Sequence, residues 1–136
     1  MFAEIVLGHL AGDYLLQNKS MALKKSEKGW AGFGWCTLHC LIYTACICLF
    51  LWTVNPFHVA FSPLLVLLVF LTHWPLDRWS LGSKWLKLIR GRDFIKAFES
   101  KDKYREIDVS FSCLVYAVVD NSLHLILLWF VVSWLI

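Results

Sequence analysis

The sequence predicts an all-α membrane protein: a polytopic bundle of four transmembrane helices with an amphipathic helical segment at the cytoplasmic interface. Hydrophobic residues make up 59% of the 136 residues, and the mean hydropathy is +0.61. A soluble domain is only about half apolar. The eight Trp and ten Phe suit a bilayer, where aromatic rings anchor at the headgroup level. The length predicts a single domain over residues 1–136.

Four apolar runs approach the roughly 20 residues that a helix needs to cross a bilayer. They span approximately 2–17, 35–54, 61–77 and 111–136. The first run lacks the basic region and small-residue cleavage site of a signal peptide, so we expect it to remain as a span.

The cations predict the topology. All thirteen Lys and Arg fall within 19–28 and 78–105, which are the loops after the first and third spans. Since such loops stay cytoplasmic, we expect a multi-pass protein of the inner (cytoplasmic) membrane with both termini outside. This distribution is typical of a topology signal and of attraction to anionic lipid. We therefore expect membrane lipids, and no nucleic acid, as partners.

The segment 79–108 between the last two spans has helical character. Trp85, Leu88 and Ile89 recur at helical spacing, and Lys84, Lys87 and Arg90 lie between them. This pattern predicts amphipathic helices lying in the cytoplasmic interface.

Ionisable residues inside the predicted spans form pairs at i, i+4, which places both side chains on one face of a helix. The pairs are His9 with Asp13, His73 with Asp77, and Asp120 with His124, and the second span adds His39. In the predicted topology every Asp lies nearer the cytoplasm than its His. Ionisable groups in a span face the bundle interior and have partners. The sequence therefore predicts one shared polar cluster near the cytoplasmic side.

Three interpretations of this cluster stay open. We favour a divalent metal site over His–Asp pairs that merely satisfy each other, and over a relay for protons or ions. The candidate ligands are His9, Asp13, His39, His73, Asp77, Asp120 and His124. They exceed the needs of one tetrahedral ion, so one or two ions fit. Nitrogen and oxygen ligands permit zinc, which we favour, or manganese or iron. Thiolate ligation by Cys36 or Cys40 is less favoured.

Residues beside the cluster are candidates for supporting roles. Asp77 or Asp120 is a candidate general base if it is not itself a ligand, and Arg78 could hold a phosphate or carboxylate. Gln17, Asn121, Tyr14 and Tyr43 are weaker candidates, since each could equally be a cap, an anchor or a packing group.

The stretch from His9 to Gln17 resembles the opening signature of an uncharacterised family, a domain of unknown function found in small bacterial and phage integral membrane proteins. Those proteins show H-x3-D-[FY]-x2-Q in the first helix, a His early in the second, and a later H-x3-D. Here His39 and the pair His73 and Asp77 match the later elements. The resemblance covers most of the chain and implies a fold and site positions, but no activity. More distantly, the pattern is similar to membrane-bound metal-dependent hydrolases.

We therefore expect a metal-dependent hydrolase acting on a lipid or a lipid-linked phosphate or ester near the cytoplasmic leaflet. One alternative is a component of a divalent-ion or proton transporter or channel. With only four spans, a transporter would need to form a homo-oligomer. A second alternative is a membrane effector or interaction protein in which the cluster is purely structural.

Overall fold

The computed structural model describes the backbone of residues 1–136 and every side chain except those at positions 61 and 94. The chain is all-α, as predicted. Its helices are α1 (Phe2–Leu10), which continues into a π-helical turn (Ala11–Leu15), α2 (Lys19–Lys24), α3 (Gly29–Trp52), α4 (Pro56–Phe61), α5 (Pro63–Arg78), α6 (Leu81–Arg90), α7 (Phe94–Glu99) and α8 (Arg105–Leu135).

Two helices, α3 and α8, are long and apolar enough to cross a membrane. A third crossing is added if α5 and α6, which meet at a 60° bend, form one span. Together α1 and the π-helical turn extend only about 20 Å at 1.5 Å per residue, against roughly 30 Å of hydrocarbon. The helices thus indicate a membrane protein, with two spans supported by length and composition rather than the four we expected.

Two helices extend beyond their predicted spans because charged and small residues continue a helix where they would end an apolar run. Helix α3 begins at Gly29 rather than at 35, and α8 begins at Arg105 rather than at 111. Helix α5 begins where Pro63 occupies the first turn and the Ser62 hydroxyl accepts a hydrogen bond from the Leu65 amide (3.2 Å). The predicted interfacial segment, 79–108, contains the two short helices α6 and α7 and the first residues of α8.

Helix α3 is central and contacts α1, α2 and α5, while α8 packs on α5, α6, α7 and the side of α1. Helix α1 approaches α3 closely because Gly8 and Gly12 have no side chains. A Cβ at Gly8 would lie 3.0 Å from Ile47 Cα, and a Cβ at Gly12 would lie 2.8 Å from Tyr43 Cδ2. These glycines hold the α1 face that carries His9 and Asp13 against α3.

A buried apolar core lies one to two turns beyond the polar cluster on each long helix. It includes Ile5, Ile47, Leu51, Val69 and Leu128. The corresponding cluster residues are His9 on α1, Tyr43 on α3, His73 on α5 and His124 on α8. The bundle is therefore mostly apolar on one side of this layer, where the described ion pair is that of Glu4 with the N-terminus, and its other charged groups gather on the other side.

Candidate metal centre

The structure places all seven predicted ligands in one connected cluster. Every imidazole has a nitrogen within 3.8 Å of a carboxylate oxygen, and the shortest contacts belong to His39 and His73. All four histidines are buried, as is Asp77, while Asp13 and Asp120 are partly buried. The helix pairs expected from the i, i+4 spacing form on all three helices: His9 Nδ1 lies 3.2 Å from Asp13 Oδ2, His73 Nε2 lies 3.1 Å from Asp77 Oδ2, and His124 Nε2 lies 3.8 Å from Asp120 Oδ2.

The tightest part of the cluster is a triangle of ligand atoms from three helices. His39 Nε2 lies 3.1 Å from both His73 Nε2 and Asp13 Oδ1, and His73 Nε2 lies 3.5 Å from the same Asp13 oxygen. Asp77 Oδ2 closes a second triangle on the same pair of nitrogens, at 3.0 Å from His39 and 3.1 Å from His73. Ligands bonded to a tetrahedral ion at about 2.0–2.1 Å are about 3.3–3.4 Å apart. The observed spacings fit that requirement.

Protons alone do not satisfy this arrangement. A neutral imidazole carries a single N–H, yet His39 Nε2 faces two carboxylate oxygens and another ring nitrogen. Among the described side chains, the buried oxygens Asp13 Oδ1 and Asp77 Oδ2 accept no hydrogen bond of acceptable geometry. An unpaired buried polar atom costs free energy, more so when it is charged. Converging lone pairs without protons are what a cation requires, so the residues present fit a metal ion.

Three groups of side chains in the described part of the chain have ligand atoms close enough to share an ion. They are Asp13 with His39 and His73, Cys40 with His73 and Asp77, and Asp77 with Asp120 and His124. His9 belongs to none of these groups. Its Nδ1 lies 3.1 Å from the Tyr43 hydroxyl, and its Nε2 lies 2.6 Å from Asn121 Oδ1. This geometry favours a role for His9 in orienting Asp13, whose carboxylate it also contacts.

Local backbone geometry and ring stacking orient the candidate ligands. Asp13 lies in the π-helical turn, a rare geometry that is frequent at functional sites. On α5, Pro75 lies between His73 and Asp77 and removes one helical N–H. The His73 ring is fixed by the Tyr43 ring, which stacks on it with centroids 3.7 Å apart.

Lys25 and the amide of Gln17 complete the site on the side away from the apolar core. Lys25 Nζ lies 2.8 Å from Asp77 Oδ1, and its side chain is only 17% exposed. In the orientation that satisfies both ends of its amide, Gln17 donates to the Asp13 carbonyl oxygen (3.2 Å) and accepts from Lys25 Nζ (3.0 Å), and its oxygen lies 3.3 Å from His39 Nε2. Burial by itself would lower the pKa of Lys25, but the Asp77 carboxylate outweighs this effect and raises that pKa.

Lys25 is not among the predicted site residues, because in the sequence it lies among the cations that indicate topology. Its position two turns beyond Gln17 carries no helical periodicity, since the chain is irregular between the π-helical turn and α2. Cys40 rather than Cys36 has its sulfur among the possible ligands, because Cys36 faces the Trp74 carbonyl oxygen at 3.8 Å and the Cys40 sulfur at 4.0 Å.

Arg78 lies outside the cluster. It donates a hydrogen bond from Nη1 to the Glu27 carbonyl oxygen (2.6 Å). It lines a separate cavity of about 550 Å³ whose other charged residues are Lys28 and Lys84. The positive charge of this cavity suits an anionic group.

A second cavity, of about 220 Å³, adjoins the cluster. It lies between the π-helical turn, α2 and α8, and its charged lining residues are Asp13, Lys25 and Asp120. Tyr14 and Asn121, whose amide donates a hydrogen bond to the Tyr14 hydroxyl, form part of the wall. The cavity therefore gives access to the cluster at Asp13 and Asp120, and catalytic metal sites likewise keep an open position.

Comparison with known proteins adds a family but no activity. No curated protein and no solved structure matches the chain. The expected family of unknown function is confirmed, whereas no similarity to hydrolases is found. A family model described as a protein of unknown function (DUF3307) matches residues 1–136, and the chain therefore belongs to this family.

Proposed function

We propose that this protein is a membrane-embedded, metal-dependent hydrolase that acts on a lipid or a lipid-linked phosphate or ester. The observation that carries the proposal is the triangle of Asp13 Oδ1, His39 Nε2 and His73 Nε2, with edges of 3.1–3.5 Å, beside a cavity that reaches Asp13. Three protein ligands and an accessible side are typical of catalytic zinc sites. Manganese and iron suit the same ligands.

A divalent ion on these ligands would polarise the scissile group and make a bound water acidic near pH 7. Asp120 is the better general base of the two aspartates that we considered. Its carboxylate lines the cavity, whereas the Asp77 oxygens face Lys25 and the imidazoles of His39, His73 and His124. Asp120 would accept the proton of the attacking water and later release it to the leaving group.

The size of the cavity is compatible with the head group of a lipid substrate. At about 220 Å³ it accommodates a phosphoryl or ester group with some water, but not whole acyl chains, which would stay in the bilayer. We further propose that α1 with its π-helical turn, α3, α5 and α8 make four crossings of the inner membrane, with both termini outside. The cations around Arg78 would then face the cytoplasmic leaflet and hold an anionic headgroup.

The buried core favours hydrolysis over transport. A path for ions or protons through the bundle would need polar groups across its full thickness. Beyond His9 and His73, most of the described core residues are apolar, among them Ile5, Val69 and Leu128, and the buried polar groups there are isolated ones on Thr44 and Glu4. A purely structural role for the cluster is disfavoured by the buried carboxylate oxygens of Asp13 and Asp77 that lack hydrogen bonds in the described part of the chain.

Elemental analysis of the detergent-purified protein tests the proposal, followed by turnover of phospholipids and lipid-linked phosphates. We expect bound transition metal and metal-dependent turnover, both lost in His39→Gln. His58→Gln is the matched control, because His58 is exposed in α4, away from the cluster. A folded protein that neither contains nor takes up zinc, manganese or iron would overturn the metal centre. Saturable, gradient-dependent uptake in proteoliposomes without lipid turnover would replace hydrolysis by transport.

A further inference from the structure

Asp77 presents its two carboxylate oxygens to different partners. Oδ2 lies 3.0 Å from His39 Nε2 and 3.1 Å from His73 Nε2. Oδ1 lies 2.8 Å from Lys25 Nζ and 3.6 Å from His124 Nε2. In two-metal sites a carboxylate can bridge two ions in this way, each oxygen serving one ion. Here one oxygen faces the proposed metal ligands and the other faces an ammonium group.

We propose that Lys25 is the second cation of this centre: its ammonium group takes the place of a second metal ion, so that the site binds one divalent ion. The inference rests on the proposed metal centre and specifies how many ions it holds. Without Lys25, the second metal ion would bind to Asp77, Asp120 and His124.

The charges of the cluster support a single ion. Its carboxylates, those of Asp13, Asp77 and Asp120, contribute three negative charges when all four imidazoles are counted as neutral, as those of His39 and His73 must be to bind a metal. One divalent ion and the Lys25 ammonium group contribute three positive charges, which makes the cluster neutral. Net charge is costly in a buried site of low dielectric constant. Two ions together with Lys25 would leave an excess of two positive charges.

The hydrogen-bond acceptors around Lys25 match the needs of a buried ammonium group. Its Nζ has two acceptors, Asp77 Oδ1 at 2.8 Å and Gln17 Oε1 at 3.0 Å. An ammonium group has three donors, and Lys25 also lines the 220 Å³ cavity. The third donor can therefore serve an anionic oxygen of the substrate, as a second metal ion does in two-metal hydrolases.

The test counts ions with and without the ammonium group. Metal-free wild type and Lys25→Met are titrated with zinc against a chromophoric chelator, and bound zinc is measured by elemental analysis. We expect one equivalent in the wild type and two in Lys25→Met, where a hydroxide between the ions would restore neutrality. Lys24→Met is the matched control and should keep one equivalent, because Lys24 is exposed and its Nζ lies 5.9 Å from the centre of the Trp35 ring.

The outcomes separate this inference from the metal centre itself. Two equivalents in the wild type, or one in a folded Lys25→Met, would overturn the role of Lys25 and leave the metal centre standing. No equivalent in the wild type would overturn the metal centre. If Lys25→Met does not fold, electron paramagnetic resonance of manganese-loaded wild type decides: isolated Mn²⁺ supports the inference, and a spin-coupled pair refutes it.

Discussion

Substitution of Asp77 by Asn tests whether the cluster binds metal or consists only of His–Asp pairs that satisfy each other. The change keeps the shape of the side chain but removes its charge, and Asp77 is in contact with His39, His73 and Lys25. Loss of a group that merely orients a ligand costs about 10–100-fold in metal affinity. We expect the loss of Asp77 to reach at least the upper end of that range, about 100-fold, because its Oδ2 would face the proposed ion directly.

The expected difference in metal affinity corresponds to a difference in the free energy of unfolding when metal is present. A ligand that binds only the folded protein stabilises it by RT ln(1 + [L]/Kd). With free metal at 100 times the wild-type Kd, this is about 2.7 kcal/mol. In Asp77→Asn, with a Kd about 100-fold higher, the same metal concentration contributes only about 0.4 kcal/mol. At roughly 4 °C per kcal/mol for a chain of this size, Tm rises by about 10 °C in the wild type and by about 2 °C in the variant.

The assay is thermal unfolding in detergent with and without added zinc. Asp108→Asn is the control, since it removes the same charge from an exposed residue of α8 whose carboxylate lies 3.5 Å from Arg92, outside the cluster. It should respond to zinc as the wild type does. Equal stabilisation of wild type and Asp77→Asn would refute the assignment of Asp77 as a ligand. A wild type that zinc does not stabilise would refute the metal centre.

Two further substitutions test the surroundings of the centre. Gly82→Ala on α6 should lower kcat at least tenfold with metal content unchanged, because a Cβ there would collide with Oδ1 of Asp120, the proposed general base. Steady-state kinetics measure this, and Gly34→Ala, where a Cβ meets nothing within 4 Å, should leave kcat unchanged. Arg78→Gln should raise KM for anionic lipid substrates roughly tenfold without changing kcat or metal content, because a lost charge-assisted hydrogen bond costs about 1.5–3 kcal/mol. Steady-state kinetics check this against Lys101→Gln, and a fall in kcat at unchanged KM would contradict the proposed role of Arg78.

The cluster could be predicted because its pairs depend on local geometry alone. An i, i+4 pair shares a helix face in any regular helix, so His73 with Asp77 and Asp120 with His124 needed no tertiary information. The membrane environment then required these faces to turn inward. The lengths of the helices were less predictable. Runs of apolar residues do not show that α1 passes into a π-helical turn, or that the chain bends by 60° between α5 and α6.

Those two interruptions explain the residues that sequence reasoning missed. The first regular stretch ends two residues beyond Asp13, and α5 ends one residue beyond Asp77. Each break lets the following helix fold back over the carboxylates, which brings Lys25 at the end of α2 to Asp77 and Gly82 of α6 to Asp120. A helix that continued straight would have carried both residues away from the cluster. The sites of these breaks therefore determine which cation meets the carboxylates and leave access to the centre through the cavity between the π-helical turn, α2 and α8.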